Sequence, residues 1–313
     1  MSLTRRHLLS LPAAGLAYAQ QPPTDLDIRR VSIISEGTRM HGVTFALKSQ
    51  AGKKLPTILM AHGWGGTAAA LRPDAVLFAR AGFLAVTFDY RGWGESDSRL
   101  VLAGPAPKEK ADGKFTAEVT EVREVVDPLD FGTDWLNAIH WLHGEPMCDT
   151  ARIALWGSSF SGGLVVWAAA RDPRVQVVHS QVGSFDGRWV VVNDAARKVT
   201  AAEATALARG ERQYPAPGVK TVGNLKGAPA RSRFVDFAPV DDVTRIAKTC
   251  AIQIVIAENE ELFDNKEHDI LAHERFQGTK KLVTVPKIKH YGIYNEARAE
   301  AQKLALDWFK DHL

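Results

Sequence analysis

Short apolar segments alternate with helical stretches along most of the chain, and this alternation constrains the fold more than any other feature. The apolar segments are rich in β-branched residues, which is typical of strands. They lie at residues 26–35, 40–47, 57–61, 84–88, 153–156, 175–182, 252–257 and 281–285. Helical patterns lie between them, at 73–81, 131–143, 162–170 and 295–312. This order predicts an α/β fold with a mainly parallel sheet covered on both faces and an antiparallel edge made by the first two strands.

Two insertions interrupt the alternation. Residues 101–127 are rich in charge, and residues 194–248 combine an Ala-rich helical piece with a Pro- and Gly-rich stretch, so we predict that the second forms a cap or lid. Residues 195–248 contain ten Lys or Arg against five Asp or Glu. Two interpretations of this balance remain open, an anionic substrate and an ordinary solvated basic surface.

Composition excludes several classes of protein. The 313 residues include 39 Lys or Arg and 36 Asp or Glu, a formal net charge of +3, and they lack the concentrated basic face that nucleic-acid binding requires. Cys148 and Cys250 are the two cysteines, too few for a disulfide framework or a four-cysteine zinc site. We expect both to be free thiols, and we expect no metal and no organic cofactor.

The first nineteen residues have the pattern of a removable export signal. They carry Arg5 and Arg6, continue as an apolar run, contain no acidic residue, and end in Ala17-Tyr18-Ala19. We predict cleavage after Ala19, a twin-arginine or general secretory route, and a periplasmic or extracellular protein whose folded domain covers residues 20–313. A disordered leader is the alternative. The apolar run is too short to favour a membrane span, so we expect no stable span after cleavage.

A cluster of small residues follows the strand at 153–156 and indicates a nucleophile. Gly157-Ser158-Ser159-Phe160-Ser161 joins that strand to an apolar helix. A nucleophilic serine needs a sharp strand-to-helix turn with small neighbours, and Ser159 is the best placed. Ser158 and Ser161 are weaker candidates, and a simple helix cap is the alternative without catalysis. Ser161 stands where such turns usually have a second glycine.

A glycine-dense loop, His62-Gly63-Trp64-Gly65-Gly66, follows the strand at 57–61. Acyl transfer needs fixed N–H donors for an oxyanion, and we predict that the amides of Trp64 and Phe160 supply them. We also predict that Gly63, Trp64 and Trp189 bind substrate. His62 is expected to be a packed structural residue rather than a metal ligand, because no partner stands at ligand spacing.

The remaining catalytic groups are predicted to follow later strands. The strand at 252–257 ends in a carboxylate-rich loop, in which Glu260 is the first choice for the acid and Glu258, Glu261 and Asp264 are alternatives. His290 follows the last strand, so it lies at the same sheet edge and comes after both the serine and the acid in the chain. We predict that His290 deprotonates Ser159 and that the carboxylate orients the imidazole.

Together these motifs resemble the α/β-hydrolase superfamily, in particular the dienelactone-hydrolase-like and Xaa-Pro-dipeptidyl-peptidase-like serine hydrolases. The resemblance rests on His62-Gly63-Trp64-Gly65-Gly66, Asp89-Tyr90-Arg91-Gly92-Trp93-Gly94, Trp156-Gly157-Ser158-Ser159-Phe160-Ser161-Gly162-Gly163 and Asp172-Pro173-Arg174-Val175. It implies an eight-stranded sheet and a serine nucleophile. Two departures stand out: dienelactone hydrolases have cysteine at the position of Ser159, and the superfamily usually has aspartate where Glu260 stands.

The sequence therefore predicts a serine esterase that cleaves small carboxylic esters or other acyl substrates through an acyl-enzyme. Peptidase, thioesterase and carbon–carbon bond hydrolase activities remain alternatives within the same chemistry. A noncatalytic binding module on the same fold is the alternative from another class.

Overall fold

Eight strands form one central sheet in the computed structural model, which describes residues 23–222 and 225–313. The strands are β1 (Leu26–Ser35), β2 (Thr38–Leu47), β3 (Leu55–Ala61), β4 (Leu84–Phe88), β5 (Cys148–Ser158), β6 (Val175–Gln181), β7 (Ala251–Ala257) and β8 (Lys280–Val285). Their order is β1-β2-β4-β3-β5-β6-β7-β8. β2 is antiparallel to both β1 and β4, and every other pair is parallel. The expected sheet of eight strands, with its antiparallel edge, is confirmed.

Helices cover both faces of this sheet. They are α1 (Arg72–Arg80), α2 (Pro128–Leu142), α3 (Phe160–Ala169), α4 (Asp194–Ala208), α5 (Arg231–Phe234), α6 (Pro239–Asp242), α7 (Leu271–Arg275) and α8 (Arg298–His312). Short 3₁₀ turns occur at Lys48–Gln50, Ala68–Leu71, Arg188–Val191, Val243–Arg245 and His290–Tyr294, and a π turn at Lys266–Ile270.

The side chains of the central strands point alternately to the two faces of the sheet and pack into two hydrophobic layers. In β5, Leu155 faces the layer that contains α2 and α3, whereas Trp156 faces the layer that contains α1 and α8. Successive side chains of a strand point to opposite faces, so both layers are apolar and β5 is buried on both sides. α2 begins with Asp127 as its N-cap, whose carboxylate accepts from the amides of Leu129 and Asp130.

The two insertions leave the sheet at its carboxyl edge and contact each other. The first contains the antiparallel pair Arg99–Leu102 and Val119–Val122. The second lies between β6 and β7 and contains α4, α5, α6 and the pair Lys220–Val222 and Leu225–Lys226. Ala228–Pro229 of the second pairs in parallel with Val125–Val126 of the first. The predicted signal segment, residues 1–19, lies outside the described residues.

Several arginines of the second insertion are paired with acids. Arg231 lies 3.5 Å from Glu203, and Arg233 contacts both Asp127 and Asp130. These pairs neutralise part of the positive charge that the insertion carries.

Both cysteines are buried free thiols, Cys148 at the start of β5 and Cys250 directly before β7, with β6 between those strands. In the part of the chain that the structure describes, no helix combines the length and the hydropathy needed to cross a bilayer.

Candidate active site

Ser159 stands at the sharp turn between β5 and α3 with a strained backbone. Its φ is 58° and its ψ is −126°, a backbone conformation that residues other than glycine rarely adopt. Three backbone hydrogen bonds hold it there: the Ser159 amide donates to the Gln181 carbonyl at 2.9 Å, and the Ser159 carbonyl accepts from Gly162 at 2.8 Å and from Ser184 at 3.1 Å. The turn therefore presents the hydroxyl away from the sheet, as the sequence predicts.

Small neighbours allow this turn to close. A Cβ on Gly157 would overlap the Ser161 carbonyl, and one on Gly163 would overlap the Ser184 carbonyl. Ser161, at the position that often has glycine, is fully buried, and its Oγ lies 3.1 Å from the hydroxyl of Tyr90. The hydroxyl that serine adds in place of glycine at position 161 thus has a specific hydrogen-bond partner.

The His290 ring bridges Ser159 and Glu260. Its Nδ1 lies 2.8 Å from Glu260 Oε2, and its Nε2 lies 2.9 Å from Ser159 Oγ. The side chains of His290 and Glu260 are each 1% exposed. A carboxylate only accepts, so Nδ1 carries the proton and donates to Glu260, which leaves Nε2 to accept from the Ser159 hydroxyl.

The other carboxylates of the acidic loop bind different groups. Glu261 Oε2 accepts from the His290 amide at 2.8 Å, and Glu258 Oε2 accepts from the Lys287 amide at 2.7 Å. Asp264 accepts from the Lys266 amide at 2.8 Å. Of the four candidates for the acid, the structure brings Glu260 to the imidazole, while Glu258 and Glu261 hold the backbone of the loop that carries His290.

The two predicted oxyanion donors are the amides of Phe160, which follows the serine, and of Trp64, which follows a glycine that closely approaches the serine. Phe160 is the first residue of α3, and its amide has no acceptor among the described residues, as expected for the first turn of a helix. Across from it, the Gly63 carbonyl accepts from His62 Nδ1 at 2.9 Å and from the Gly66 amide at 3.3 Å.

Those two bonds fix the peptide plane between Gly63 and Trp64. Because the peptide is planar and trans, the Trp64 N–H points to the opposite side from the Gly63 carbonyl. Burial lowers the pKa of His62, so its ring stays neutral and keeps Nδ1–H as a donor. His62 is buried, and its ring packs on Tyr90 and Trp93. Within residues 23–222 and 225–313, no group of three or more potential ligands is arranged to hold a metal.

A cavity of about 320 Å³ opens beside Ser159 and His290. Gly63 and Trp64 line it, and Leu225 of the second insertion contributes to its wall. Trp189, also predicted to bind substrate, does not line this cavity. Its ring packs on Phe234 with the ring centroids 5.7 Å apart, and Phe234 in turn packs on Trp64, which does line the cavity. The prediction for Trp189 therefore has no support from the cavity.

Tyr294 is a site residue that the sequence reasoning missed. Its hydroxyl lies 2.6 Å from Ser158 Oγ, which also accepts from Gln181 Nε2 at 3.1 Å. Desolvation raises the pKa of Tyr294 to about 12, so it remains a neutral hydroxyl. His290 and Tyr294 are the ends of one 3₁₀ turn, and they bond the consecutive residues Ser159 and Ser158. In the sequence, the signal for Tyr294 is its position four residues after His290, which allows one short turn to carry both side chains.

The family model for the X-Pro dipeptidyl-peptidase (S15 family) matches residues 36–213, more than half of the chain. The chain belongs to this family. Over 90% of its length, this S15-family chain is 26% identical to an uncharacterized 31.7 kDa protein of Escherichia coli, 99% of which is covered. It is also 34% identical to the quorum-quenching protein AidA of Acinetobacter baumannii over 42% of this chain and 36% of AidA.

Solved structures share its fold. The S15-family chain superposes on the alpha/beta hydrolase GrgF of a Penicillium species with a TM-score of 0.71 and 19% identity, covering 92% of this chain and 99% of GrgF. An acetyl xylan esterase from a Paenibacillus species gives a TM-score of 0.61 at 18% identity, covering 94% and 86%. The predicted α/β-hydrolase fold is confirmed.

Gly63→Ala tests the close approach of the glycine loop to the turn. An added Cβ would lie 2.8 Å from the Ser158 carbonyl and 3.1 Å from Ser159 Cβ, so one of the two segments must shift. We expect a loss of about 1–3 kcal/mol in the free energy of unfolding, measured by denaturant titration. Gly104→Ala is the matched control, because nothing lies within 4 Å of its added Cβ. Equal stability of the two variants would contradict the close approach.

Proposed function

We propose that this α/β hydrolase is a serine hydrolase that cleaves carboxylic esters through an acyl-enzyme, with Ser159, His290 and Glu260 as its triad. The observation that carries the proposal is the single imidazole within hydrogen-bond distance of both the strained serine and a buried carboxylate. Such a chain activates a hydroxyl that is otherwise a weak nucleophile.

In the proposed mechanism, Ser159 Oγ attacks the ester carbonyl while its proton passes to His290 Nε2. The negative charge that develops on the carbonyl oxygen is stabilised by the amides of Trp64 and Phe160. His290 then gives the proton to the departing alcohol oxygen, and the acyl group stays on Ser159. Water, deprotonated by His290, attacks this acyl-enzyme and releases the acid, while the proton returns to Ser159. Glu260 stabilises the imidazolium in both halves of the reaction.

We also propose that the protein is exported, on the basis of the charged and apolar segment at residues 1–19. The proposed mature chain starts at residue 20 and has a formal charge of +1, because Arg5 and Arg6 are removed.

Thioester cleavage is the second candidate function. Two relatives are named thiohydrolases, and the one from Aspergillus aculeatus is 27% identical over 55% of this chain. The same serine, histidine and oxyanion donors serve thioesters, since only the leaving atom changes. Peptide cleavage, which the family name suggests, has weaker support, because a free substrate amine needs an unpaired carboxylate and Asp74, which lines the cavity, is bound by Arg298 at 2.8 Å.

Labelling with a fluorophosphonate probe tests the nucleophile. We expect the wild-type protein to be labelled and Ser159→Ala to lose labelling and at least about 10⁴-fold in kcat. Ser161→Ala is the control, because Ser161 is buried against Tyr90, and it should keep its label. A folded wild-type protein that takes no label would overturn the catalytic proposal.

Glu260→Gln and Glu261→Gln form a matched pair that tests the acid. Gln at 260 loses the charge that stabilises the imidazolium, and we expect kcat for ester hydrolysis to fall by about 10³–10⁴-fold. Gln at 261 keeps an oxygen acceptor for the His290 amide, so its kcat should stay within about tenfold of wild type. The reverse ranking would assign the acid to Glu261.

A panel that combines an ester and a thioester of one common acyl group with aminoacyl anilides separates the candidate bonds. We expect hydrolysis of the p-nitrophenyl ester and of the matching thioester, and at least about 10²-fold lower kcat/KM for aminoacyl anilides. Cleavage of the anilides alone would replace the esterase proposal by a peptidase.

A further inference from the structure

The cavity beside Ser159 has a polar cluster where α1 and α8 line it. Asp74 of α1 is 8% exposed, and its two carboxylate oxygens accept from Arg298 Nη2 at 2.8 Å and from Gln302 Nε2 at 2.7 Å. Arg298 and Gln302 are four residues apart on α8 and share one face of the helix. All three side chains line the same cavity as Ser159 and His290. Much of the remaining wall is apolar, formed by Leu71, Phe78, Trp156, Ile293 and Ala301.

Arg298 occupies a position where a positively charged side chain does not stabilise its own helix. It is the first residue of α8, and the positive end of a helix dipole disfavours a positive side chain. Asp74 compensates this charge but engages one edge of the guanidinium. Guanidinium has five N–H donors, and in the described ranges Arg298 makes no side-chain hydrogen bond except to Asp74. The Arg298 side chain lines the cavity and is 39% exposed, so its remaining donors are open to the cavity and to the water that fills it.

The charge balance of the cluster limits what those donors can bind. Asp74 and Arg298 together are neutral, so a substrate carboxylate would meet Asp74 and a substrate ammonium would meet Arg298, each a repulsive contact. An uncharged oxygen acceptor, such as an ether, carbonyl or hydroxyl oxygen, takes a hydrogen bond from Arg298 without either penalty. An all-hydrocarbon chain would cover these donors without replacing the hydrogen bonds they make to water, which is costly.

We propose that Arg298, held by Asp74 and Gln302, is a specificity-determining residue that selects small esters whose chain carries an uncharged oxygen acceptor. This inference rests on the proposed ester hydrolysis and names its substrate class. The cavity of about 320 Å³ has room for a chain of several carbon and oxygen atoms beside Ser159.

Isosteric ester pairs test the proposal in purified protein. p-Nitrophenyl hexanoate and p-nitrophenyl 4-methoxybutanoate differ only in one CH₂ replaced by oxygen in the acyl chain. Pentyl acetate and 3-methoxypropyl acetate make the same comparison in the alcohol. In each pair we measure kcat/KM of the ether ester divided by kcat/KM of the hydrocarbon ester. For the pair that varies the part of the ester inside the cavity, we expect this ratio to fall by about 10-fold or more in Arg298→Met, because one hydrogen bond to a charged donor is lost.

Arg80→Met is the matched control. Like Arg298, Arg80 is a helical arginine in an ion pair, here at the end of α1 with Asp25 at 2.9 Å, but it does not line the cavity, so the ratio should stay at its wild-type value. Asp74→Asn is an isosteric second variant that leaves the charge of Arg298 uncompensated. It should raise kcat/KM for the p-nitrophenyl monoester of glutaric acid, relative to the hexanoate, by about 10-fold or more.

The outcomes separate the two proposals. Unchanged ratios in Arg298→Met for both the acyl and the alcohol pair, with the hexanoate still hydrolysed, would overturn the selection by Arg298 and leave the esterase proposal intact. No gain for the glutarate ester in Asp74→Asn would overturn the charge argument, even if Arg298→Met did not fold. Failure of the folded wild-type protein to hydrolyse any ester would overturn the proposed function itself.

Discussion

The backbone of Ser159 is held at positive φ by hydrogen bonds to Gln181, Gly162 and Ser184, which lie on β6, α3 and the segment after β6. A strained residue persists when its surroundings fix it from several sides, and here three neighbouring segments do so. The apolar layers on both faces of β5 supply the stability that offsets this strain. The position of the hydroxyl is therefore a property of the whole sheet rather than of the turn alone.

Opposite this turn, a short 3₁₀ turn carries His290 and is fixed from two directions. Glu258 accepts from the Lys287 amide just before the turn, and Glu261 accepts from the His290 amide at its start. At the other end of the turn, the Tyr294 hydroxyl is hydrogen-bonded to Ser158. These contacts hold the imidazole at hydrogen-bond distance from Ser159. Pre-positioned groups of this kind reduce the reorganisation that acyl transfer requires.

The sequence predicted the sheet, its antiparallel edge and the family resemblance, because each depends on local patterns such as apolar periodicity or small residues in a turn. It also predicted Ser159 and His290 as neighbours, since both follow parallel strands that end at one edge. It left Glu258, Glu260, Glu261 and Asp264 open, because the loop conformation decides which carboxylate reaches the ring. The cluster of Asp74, Arg298 and Gln302 had no signal, since more than two hundred residues separate α1 from α8.

Phe234 of the second insertion packs on both residues whose amides flank the serine, with ring centroids 5.7 Å from Trp64 and 5.6 Å from Phe160. One side chain of the second insertion thereby contacts both residues whose amides are the proposed oxyanion donors. A smaller side chain at position 234 would therefore change the surroundings of both proposed donors at once, while Ser159, His290 and Glu260 keep their mutual hydrogen bonds.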